Sequence, residues 1–359
     1  MYNKRKEKLK EALQAGEIEA FLVTNPVNIR YITGFSGSSG IVIITQDKTM
    51  LFTDFRYIEQ AKEQTKKLND LMVIKHESPA TKTLKEYLYD LNIKSLCFEK
   101  KHVTYEQYEK LKNEFDFLSF IPHNGILEQI RLQKDEIELN KIREACKIAD
   151  DAFLYILSFI KPGNLERDVS LELEHYMKKN GADDIAFDII VASGKRSSLP
   201  HGVASSKELN FGDLVKMDFG AVYDGYCSDL SRTLILGEVN DKQKEIYNIV
   251  LNAQKKALDS IKPQMKASEA DGIAREEIKK AGYGENFGHG LGHGLGLEVH
   301  ESPSISFNGK DVLKPGMVFT VEPGIYLPGF GGVRIEDTVI LTDDGCIPLT
   351  KSTKELLVL

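Results

Sequence analysis

The stretch LVKMDFGAVYDGYCSDLSRTLIL, residues 214–236, decides how the second half of the chain folds. Two strand-like apolar runs flank Asp224-Gly225, a dipeptide typical of the two-residue turn of a β-hairpin. With these two residues in the turn, Tyr223 pairs with Tyr226 across the strands. The stretch therefore predicts an antiparallel hairpin whose register is set by its turn.

The predicted hairpin brings two aspartates onto one face of the sheet. In this register Asp229 lies opposite Gly220, and Asp218 shares the face of Gly220 because side chains alternate along a strand. Two carboxylates on one face repel each other unless a cation neutralises them, and a metal ion is a natural partner for such a pair. The alternative is that one aspartate faces solvent. The apolar neighbours of Asp218 argue against this, because an unpaired carboxylate inside an apolar strand is costly.

A second pair of strand-like runs, MVFTVEPGIYLPGFGGVRIEDTVIL at residues 317–341, repeats this arrangement. Glu322 falls in the first run and Glu336 in the second, and both are embedded among apolar residues. The sequence does not fix the length of the connection, so it allows a shared face without requiring one. Acidic side chains are rarely buried without a metal or a basic partner. Arg334 is the alternative partner, so a structural salt bridge remains an open interpretation.

A glycine-rich segment between the two hairpins, NFGHGLGHGLGLEVHES at residues 286–302, contains His289, His293 and His300. Its glycines disfavour a regular helix and permit close approach of the backbone to a ligand. A single histidine is more often a structural residue than a ligand, but three of the chain's eight histidines fall in this segment, which favours a site. The spacing does not match the HExxH zinc motif, and three histidines without cysteine do not match a zinc finger.

Four carboxylates and one imidazole form a hard, oxygen-rich set of metal ligands. Such a set favours Mn, Co, Fe or Zn in a catalytic pair over a structural zinc ion. Bridging carboxylates hold the two ions of such a pair about 3.5–4 Å apart, where the ions activate a shared water. The expected reaction class is hydrolysis.

The elements around these motifs predict an α+β domain built on an antiparallel sheet. Residues 134–160 carry apolar side chains at helical spacing and end at Lys161-Pro162-Gly163, where proline and glycine both oppose continuation. Further helices are predicted at 165–180, 241–261 and 267–281, and strands at 185–192, 213–236, 295–300, 316–327 and 332–341.

The first part of the chain has a different organisation. In residues 1–125 a helical pattern at 3–15 is followed by short apolar runs that alternate with helix-like segments. The runs are EAFLV, GIVIIT, MLFTD, LMVIK and SLCFE. This alternation predicts an α/β domain, and a chain of 359 residues exceeds what one hydrophobic core usually organises. We therefore expect two domains, residues 1–125 and 126–359.

Composition and charge restrict the class of protein. The 42% of hydrophobic residues is typical of a soluble globular protein, and the net charge of -7 gives no electrostatic case for nucleic acid or a membrane as partner. No run approaches the ~18 apolar residues of a membrane span, and the N-terminus lacks the apolar core of a signal peptide. The wide spacing of the cysteines argues against disulfides and structural zinc. We therefore expect reduced thiols at Cys97, Cys146, Cys227 and Cys346, and a cytoplasmic protein.

At these motifs the chain resembles the pita-bread metallopeptidases, the family of methionine aminopeptidase, Xaa-Pro aminopeptidase, prolidase and creatinase. MDFG, CSDLSRT, GHGLGLEVHE, VEPG and VRIEDT follow the order of the family's five metal ligands, and none of the five positions departs from the pattern. The resemblance implies two divalent metal ions per chain, with manganese expected and Co, Zn or Fe as alternatives. It carries the ligand roles to Asp218, Asp229, His293, Glu322 and Glu336.

Other positions match the proline-specific members of this family. LPHG, GHGLGHG, VHE and VRIED contain His201, His289, His300 and Arg334. The resemblance implies that His201 and His289 line the pocket around the proline ring and the scissile bond. It also implies that Glu322 moves the proton while binding metal, and that His300 stabilises the oxyanion. Arg334 would support the site or meet a substrate carboxylate.

The segments NIRYITGFSGSSG and LFTDFRY resemble the creatinase-type N-terminal domain of the proline-specific members. Methionine aminopeptidase lacks that domain, so we expect an enzyme that releases the residue preceding proline. We expect an Xaa-Pro aminopeptidase, with prolidase, the Xaa-Pro dipeptidase, as the close alternative, because the metal motifs cannot separate the two. A dipeptidase must bind the free carboxylate of its substrate, and Arg196, Arg334 and Lys195 are available for that.

Two further classes within the fold compete with these peptidases. Creatinase-like enzymes work without metal, and some members of the fold bind partners without catalysis. Loss of metal ligands marks both groups, and all five ligands are present here. The resemblance also implies a homodimer in which the N-terminal domain helps to cover a site.

Overall fold

The computed structural model describes residues 2–68 and 70–359. The chain divides into two compact units between Arg131 and Leu132. The short helix Ile126–Arg131 precedes this division, whereas the sequence analysis predicts a boundary after residue 125. No helix in the described ranges is long and apolar enough to cross a membrane.

The first unit is an α/β fold around one mixed sheet of six strands, as predicted. The sheet has the order β4-β3-β2-β1-β5-β6; β1, β2 and β3 pair antiparallel, and the other neighbours pair parallel. The five predicted apolar runs form β1 to β5. The elements are α1 (Tyr2–Ala15), β1 (Ala20–Val23), α2 (Pro26–Thr33), β2 (Ile41–Thr45), β3 (Thr49–Thr53), α3 (Ile58–Thr65), β4 (Leu71–Lys75), α4 (Ala80–Asp90), β5 (Ser95–Glu99), α5 (Tyr105–Glu114), β6 (Ser119–His123) and α6 (Ile126–Arg131).

The second unit is an α+β fold in which the paired strands are antiparallel, again as predicted. Its helices are α7 (Glu136–Phe159), α8 (Glu166–Lys179), α9 (Asp241–Ser260) and α10 (Ala267–Lys280), with 3-10 turns at Gly194–Ser198 and Gly284–Asn286. Its strands are β7 (Asp184–Ile185), β8 (Ile190–Ser193), β9 (Leu214–Phe219), β10 (Ala221–Tyr223), β11 (Tyr226–Cys227), β12 (Leu230–Ile235), β13 (Gly292–Gly294), β14 (Glu301–Ile305), β15 (Val318–Val321), β16 (Gly324–Leu327), β17 (Gly331–Arg334), β18 (Asp337–Leu341) and β19 (Cys346–Pro348).

The first hairpin has the register that the sequence predicts. Asp224 and Gly225 form its turn with φ angles of 44° and 78°, the left-handed values that a two-residue turn of this kind requires. The residues flanking the turn pair as expected, and β9 and β12 continue in the same register. Between these two paired segments the ladder is interrupted, and the register places Asp229 opposite Gly220 at the interruption.

The second hairpin is interrupted in the same way. β15 pairs with β18, and β16 pairs with β17, in one continuous register. That register places Glu322 opposite Glu336 at the interruption. Pro323 follows Glu322 and has no N–H to continue the ladder. The shared face that the sequence allowed is therefore present in the structure.

The strand predicted at 295–300 is wrong. These residues are irregular, and the strand of the glycine-rich segment is β13, which precedes them. The alternating apolar residues that suggested a strand, Leu295, Leu297 and Val299, pack with a core cluster near α7. The alternation thus reflects the burial of a loop, which produces the same pattern as a half-buried strand.

Glycine is required where β13 lies between β14 and β15. A Cβ atom on Gly292 would lie 2.0 Å from a carbonyl oxygen of β15, and one on Gly294 would lie 2.1 Å from a carbonyl oxygen of β14. Only a residue without a side chain allows this approach. The glycines therefore bring His293, which lies between them, into the sheet.

The helix predicted at 134–160 begins at a capping box and forms α7. Asp135 Oδ1 accepts hydrogen bonds from the N–H groups of Ile137 and Glu138 at 3.0 and 2.9 Å. The Glu138 carboxylate accepts one from the N–H of Asp135 at 3.0 Å. These bonds satisfy N–H groups that have no partner within the helix.

We expect Asp135→Ala to lower the free energy of unfolding of the second unit by about 1 kcal/mol, because two N–H groups lose their acceptor. Urea denaturation followed by circular dichroism measures the change. Glu144→Ala, on the exposed face of the same helix, is the control and should change the free energy by less than about 0.5 kcal/mol. Equal effects of the two substitutions would contradict the capping role.

Candidate active site

All nine residues that the sequence analysis proposes for the site line one cavity of about 500 Å³ in the second unit. The cavity forms where the two interrupted hairpins meet the glycine-rich segment. The sequence analysis assigns these residues to the site from their motifs and from the family resemblance, and the fold brings them together. They are His201, Asp218, Asp229, His289, His293, His300, Glu322, Arg334 and Glu336.

Three of these side chains form a tight cluster. One ligand atom each of Asp229, His293 and Glu336 lies within 4.8 Å of the other two. His293 Nε2 is 3.5 Å from Asp229 Oδ2 and 3.4 Å from Glu322 Oε1. These distances are too long for strong hydrogen bonds and suit donors arranged around a shared cation.

Burial changes the acidity of the carboxylates in this cluster. Burial, together with the charge of Glu336, raises the pKa of Asp229 well above its ordinary value. Burial and the charge of Glu322 raise the pKa of Glu336 in the same way. Burial also raises the pKa of Glu322 to about 7. Without a cation, the cluster therefore keeps protons that ordinary carboxylic acids lose at neutral pH.

Two carboxylate oxygens in the cavity have no hydrogen-bond partner. Asp218 Oδ1 and Asp229 Oδ1 are both buried and unpaired within the described ranges. Native proteins rarely bury a polar atom without a partner, so such an atom indicates a group that completes the site. A divalent cation with a preference for oxygen ligands satisfies both atoms and offsets the repulsion between the acids.

His293 is oriented as a metal ligand. Its Nδ1 lies 3.1 Å from the carbonyl oxygen of Gly294, and because a carbonyl only accepts, Nδ1 carries the proton. Nε2 is then an unprotonated acceptor that faces Asp229 and Glu322. Burial lowers the pKa of His293, which keeps the ring neutral. A neutral imidazole whose other nitrogen is held by a carbonyl is the usual arrangement of a metal-binding histidine.

Arg334 pairs with Asp218 and not with Glu336. Its Nη2 donates to the Asp218 carboxylate, and its Nε donates to Ser231 Oγ at 2.8 Å. The salt bridge to Glu336 that the sequence left open is not formed among the described residues. Glu336 is held instead by the hydroxyl of Ser231, which donates to Oε2 at 2.7 Å.

Hydroxyl groups fasten the two hairpins together beside the cluster. The Ser231 hydroxyl already donates to the Glu336 side chain, and the Ser231 carbonyl oxygen also accepts a hydrogen bond from the N–H of Glu336 at 3.1 Å. Thr338 Oγ1 donates to the carbonyl oxygen of Asp229 at 2.8 Å. The acids at the two interruptions are therefore held in a fixed relation. Sequence reasoning missed Ser231 and Thr338, because the sequence of a strand does not show whether a serine or threonine in it makes a structural hydrogen bond.

A hydrogen-bond chain runs from His289 to Arg334 through Tyr326. His289 Nδ1 donates to the carbonyl oxygen of Gly290 at 2.8 Å, so His289 Nε2 accepts from the Tyr326 hydroxyl at 2.9 Å. That hydroxyl accepts from Arg334 Nη1 at 2.9 Å. Burial lowers the pKa of His289 to about 3 and raises the pKa of Tyr326 to about 12, so both stay neutral near pH 7. Tyr326 was not predicted, because an aromatic residue in a strand normally indicates core.

His201 and His300 are exposed on the wall of the cavity. The His300 ring lies edge-on to the ring of His293, with 4.3 Å between the ring centroids. Although the residue is exposed, its ring is partly desolvated against the wall, and this lowers the pKa of His300 below the ordinary value for histidine. Apolar side chains complete the wall, and such a wall suits a substrate with an apolar part beside a polarised bond. They are Phe187, Ile190, Val203 and Val299.

The basic residues considered as partners of a substrate carboxylate are either already hydrogen-bonded to other groups of the protein or lie outside the cavity. Arg196 Nε donates to Glu166 at 3.0 Å, and its Nη2 donates to the carbonyl oxygen of Val203 at 2.7 Å. Arg334 is engaged by Asp218. Lys195 is exposed and does not line the cavity. Among the described residues of the second unit, the wall therefore offers no unengaged guanidinium or ammonium group.

Comparison with known proteins agrees with the fold around this site. The model of metallopeptidase family M24 matches residues 140–343, and the model of the creatinase/prolidase N-terminal domain matches residues 5–133. An Xaa-Pro dipeptidase of Pyrococcus furiosus is 43% identical over 356 residues, which cover 98% of this chain and 99% of the relative.

Solved structures match over nearly the whole chain. An Xaa-Pro dipeptidase from Bacillus anthracis matches with a TM-score of 0.97 and 47% identity, covering 100% of both chains. An X-Pro aminopeptidase from Thermotoga maritima matches with a TM-score of 0.92 and 41% identity, covering 99% of both chains. These matches confirm the predicted pita-bread fold. The chain belongs to metallopeptidase family M24 and has an N-terminal domain of the creatinase/prolidase type.

Proposed function

We propose that this protein is an Xaa-Pro dipeptidase, a prolidase, that hydrolyses the bond before proline with the help of two divalent metal ions. The observation that carries the proposal is the buried cluster of four carboxylates and one imidazole beside an apolar-walled cavity. The choice of a dipeptide substrate is supported by the relatives from Pyrococcus furiosus and Bacillus anthracis, which bear that name. This choice is the alternative that the sequence analysis placed second.

The metal ions would be held by the five residues with the matching donor atoms. The unpaired oxygens of Asp218 and Asp229 and the free Nε2 of His293 support this assignment. When bound, the ions supply the Lewis acidity that polarises the scissile carbonyl and activates water. The five ligands are Asp218, Asp229, His293, Glu322 and Glu336.

Glu322 is the residue that would move the proton. As a carboxylate beside the reacting bond, Glu322 can take a proton and give it back. Thr320 Oγ1 donates to Glu322 Oε1 at 3.1 Å and fixes the orientation of the carboxylate. In this assignment Glu322 takes a proton from the attacking water and passes it to the nitrogen of the leaving proline. His300, exposed on the wall, would donate to the developing oxyanion.

His201, His289 and Arg334 would shape the pocket around the proline. His289 keeps a fixed neutral form, because its two nitrogens are engaged by Gly290 and Tyr326. Arg334 supports that arrangement from the other side of the Tyr326 hydroxyl. Proline removes the scissile N–H and restricts φ, so a shaped pocket is needed to bind this bond.

An Xaa-Pro aminopeptidase is the second candidate, and one observation favours it. A dipeptidase must bind the free carboxylate of its substrate, whereas the described cavity wall of the second unit holds no unengaged guanidinium or ammonium group. A wall without such a group tolerates peptides that continue beyond proline. The relative from Thermotoga maritima bears the name of an X-Pro aminopeptidase.

Three further inferences accompany the proposal. The hard donor set supports manganese as the metal. The family resemblance supports a homodimer. The cysteines Cys97, Cys146, Cys227 and Cys346 are all free thiols, which supports a cytoplasmic location.

Metal binding should release protons and should weaken as the pH falls. The pKa of Glu322 is about 7, and the pKa values of Asp229 and Glu336 are also raised, so Mn²⁺ must displace protons from the metal-free cluster. The apparent affinity for Mn²⁺ should therefore decrease from about pH 8 to about pH 6 as protons compete for the carboxylates. Titration calorimetry of the chelator-treated protein, in two buffers of different ionisation enthalpy, measures both quantities.

Two substitutions control this measurement. Asp229→Ala removes a central donor and should abolish Mn²⁺ binding and turnover. Asp343→Ala removes an exposed acid that does not line the cavity, and it should leave both unchanged. Binding of Mn²⁺ without proton release would contradict the assignment of the protonated cluster as the metal site.

The substrate proposal is tested with two peptides that share the first residue, an Xaa-Pro dipeptide and an Xaa-Pro-Yaa tripeptide. The Mn²⁺-loaded protein should release the first residue from the dipeptide and not from the tripeptide, because a dipeptidase requires the carboxylate on proline. Mass spectrometry of the products measures the release. The Asp229→Ala protein serves as the control for contaminating peptidases.

The other outcomes are equally specific. Cleavage of the tripeptide, whether or not the dipeptide is also cleaved, would contradict the dipeptidase assignment and support the Xaa-Pro aminopeptidase. Cleavage of neither peptide would count against both candidates and favour a binding function.

A further inference from the structure

Lys216 is a buried lysine without an acidic partner. It lies in the centre of β9, between Ala192 of β8 and Thr233 of β12, and its relative exposure is 0%. Within residues 2–68 and 70–359, no carboxylate lies within ion-pair distance of its amine. Lysine is almost never fully buried unless it is paired. Packing alone therefore does not account for a lysine at this position.

Main-chain carbonyl groups satisfy the Lys216 amine instead. Nζ donates to the carbonyl oxygen of Leu199 and, at 3.1 Å, to that of Pro200. It also lies 5.1 Å from the centre of the Tyr326 ring. Burial and the charge of Arg334 lower the pKa of Lys216 to about 6, but the amine and the ammonium form both carry enough N–H groups for two hydrogen bonds. The two bonds therefore persist in either form.

The two carbonyl groups directly precede His201. We call residues 199–203 the His201 loop. The Pro200 carbonyl also accepts a hydrogen bond from Arg334 Nη1 at 3.0 Å, so two basic side chains hold the same peptide group. Arg334 is itself paired with Asp218, a proposed metal ligand, whereas the bonds of Lys216 go only to the loop. Lys216 is thus the residue dedicated to the tip of the His201 loop.

The segment around the His201 loop is anchored separately at its base. Glu166 is fully buried and accepts hydrogen bonds from the N–H groups of Ser193 and Ser205 at 2.7 and 3.1 Å. It also accepts one from Arg196 Nε at 3.0 Å. None of these bonds involves Lys216. Loss of the Lys216 amine would therefore loosen the tip of the loop, leaving it held by Arg334 at Pro200, without releasing its ends.

We propose that Lys216 is a positioning residue that holds the His201 loop so that His201 faces the substrate in the cavity. This inference rests on the proposed function, since it concerns the substrate side of the same site. Lys216 does not itself line the cavity, so it acts through His201. A lysine that only filled space could be replaced by methionine without loss, because methionine is similarly long and has no polar group to satisfy.

Hydrogen exchange of the metal-free protein tests the anchoring directly. Lys216→Met removes the donor and keeps an unbranched side chain in the core. The peptide of residues 199–206 should exchange faster than in the wild type, while peptides from β9 and β12 should be unchanged. Wild-type exchange in residues 199–206 would overturn the proposal whatever the activity of the enzyme. Loss of the folded state would also overturn it, because Lys216 would then be structural.

A double-mutant cycle with His201→Ala tests the functional half of the proposal. On an Xaa-Pro dipeptide, Lys216→Met should lower kcat/KM about 10- to 100-fold, through the misplacement of His201. When residue 201 already carries the alanine substitution, Lys216→Met should cost less than about twofold, because its effect passes through the histidine. Equal losses in the two backgrounds would overturn the proposal.

Lys207→Met is the matched control. Lys207 Nζ donates to Asp213 at 2.7 Å and to Ser193 Oγ at 2.8 Å, near the base of the loop. This variant should leave the exchange of residues 199–206 unchanged, and any effect on kcat/KM should be equal in the two His201 backgrounds. A wild-type protein that cleaves no Xaa-Pro peptide would refute the proposed function, and the exchange data would then decide the role of Lys216.

Discussion

The repulsion between carboxylates buried in one cluster is the constraint on which the second unit depends. Two interrupted hairpins bring Asp229, Glu322 and Glu336 to the cavity, and Asp218 joins them from β9. Only part of this charge is offset within the described chain, because Arg334 pairs with Asp218. The remaining acids hold protons until cations replace them. Secondary structure, hydroxyl contacts and cavity wall are all arranged around this cluster of acids.

The cavity separates charged from neutral groups. Three of the acids lie at the hairpin interruptions, whereas His289, His293 and His300 stay neutral because burial disfavours their protonated forms. His289 is additionally held in one tautomer by its two hydrogen bonds. Neutral rings and apolar side chains beside the cluster of acids would allow the proline ring of the proposed substrate to be desolvated without adding further charge.

Local interactions could be predicted from the sequence, and distant ones could not. The first hairpin was predicted to the register, because its turn lies within the same short stretch. The motifs contain nine of the residues that line the cavity. Tyr326 and Lys216 were missed, because their partners lie outside the strands that contain them and a strand pattern does not show which side chains make polar contacts. The predicted strand at 295–300 failed because burial of a loop gives the same alternation as a strand.

The contact between Ser231 and Glu336 joins residues 105 positions apart in the chain. Each hairpin can form from local contacts, but their meeting requires the closure of a long loop and is therefore slow in comparison. A chain that has formed both hairpins but has not yet joined them would possess its strands and lack its metal centre. Metal affinity at the proposed site would therefore appear late in folding, and it would report the docking of the hairpins and not their formation.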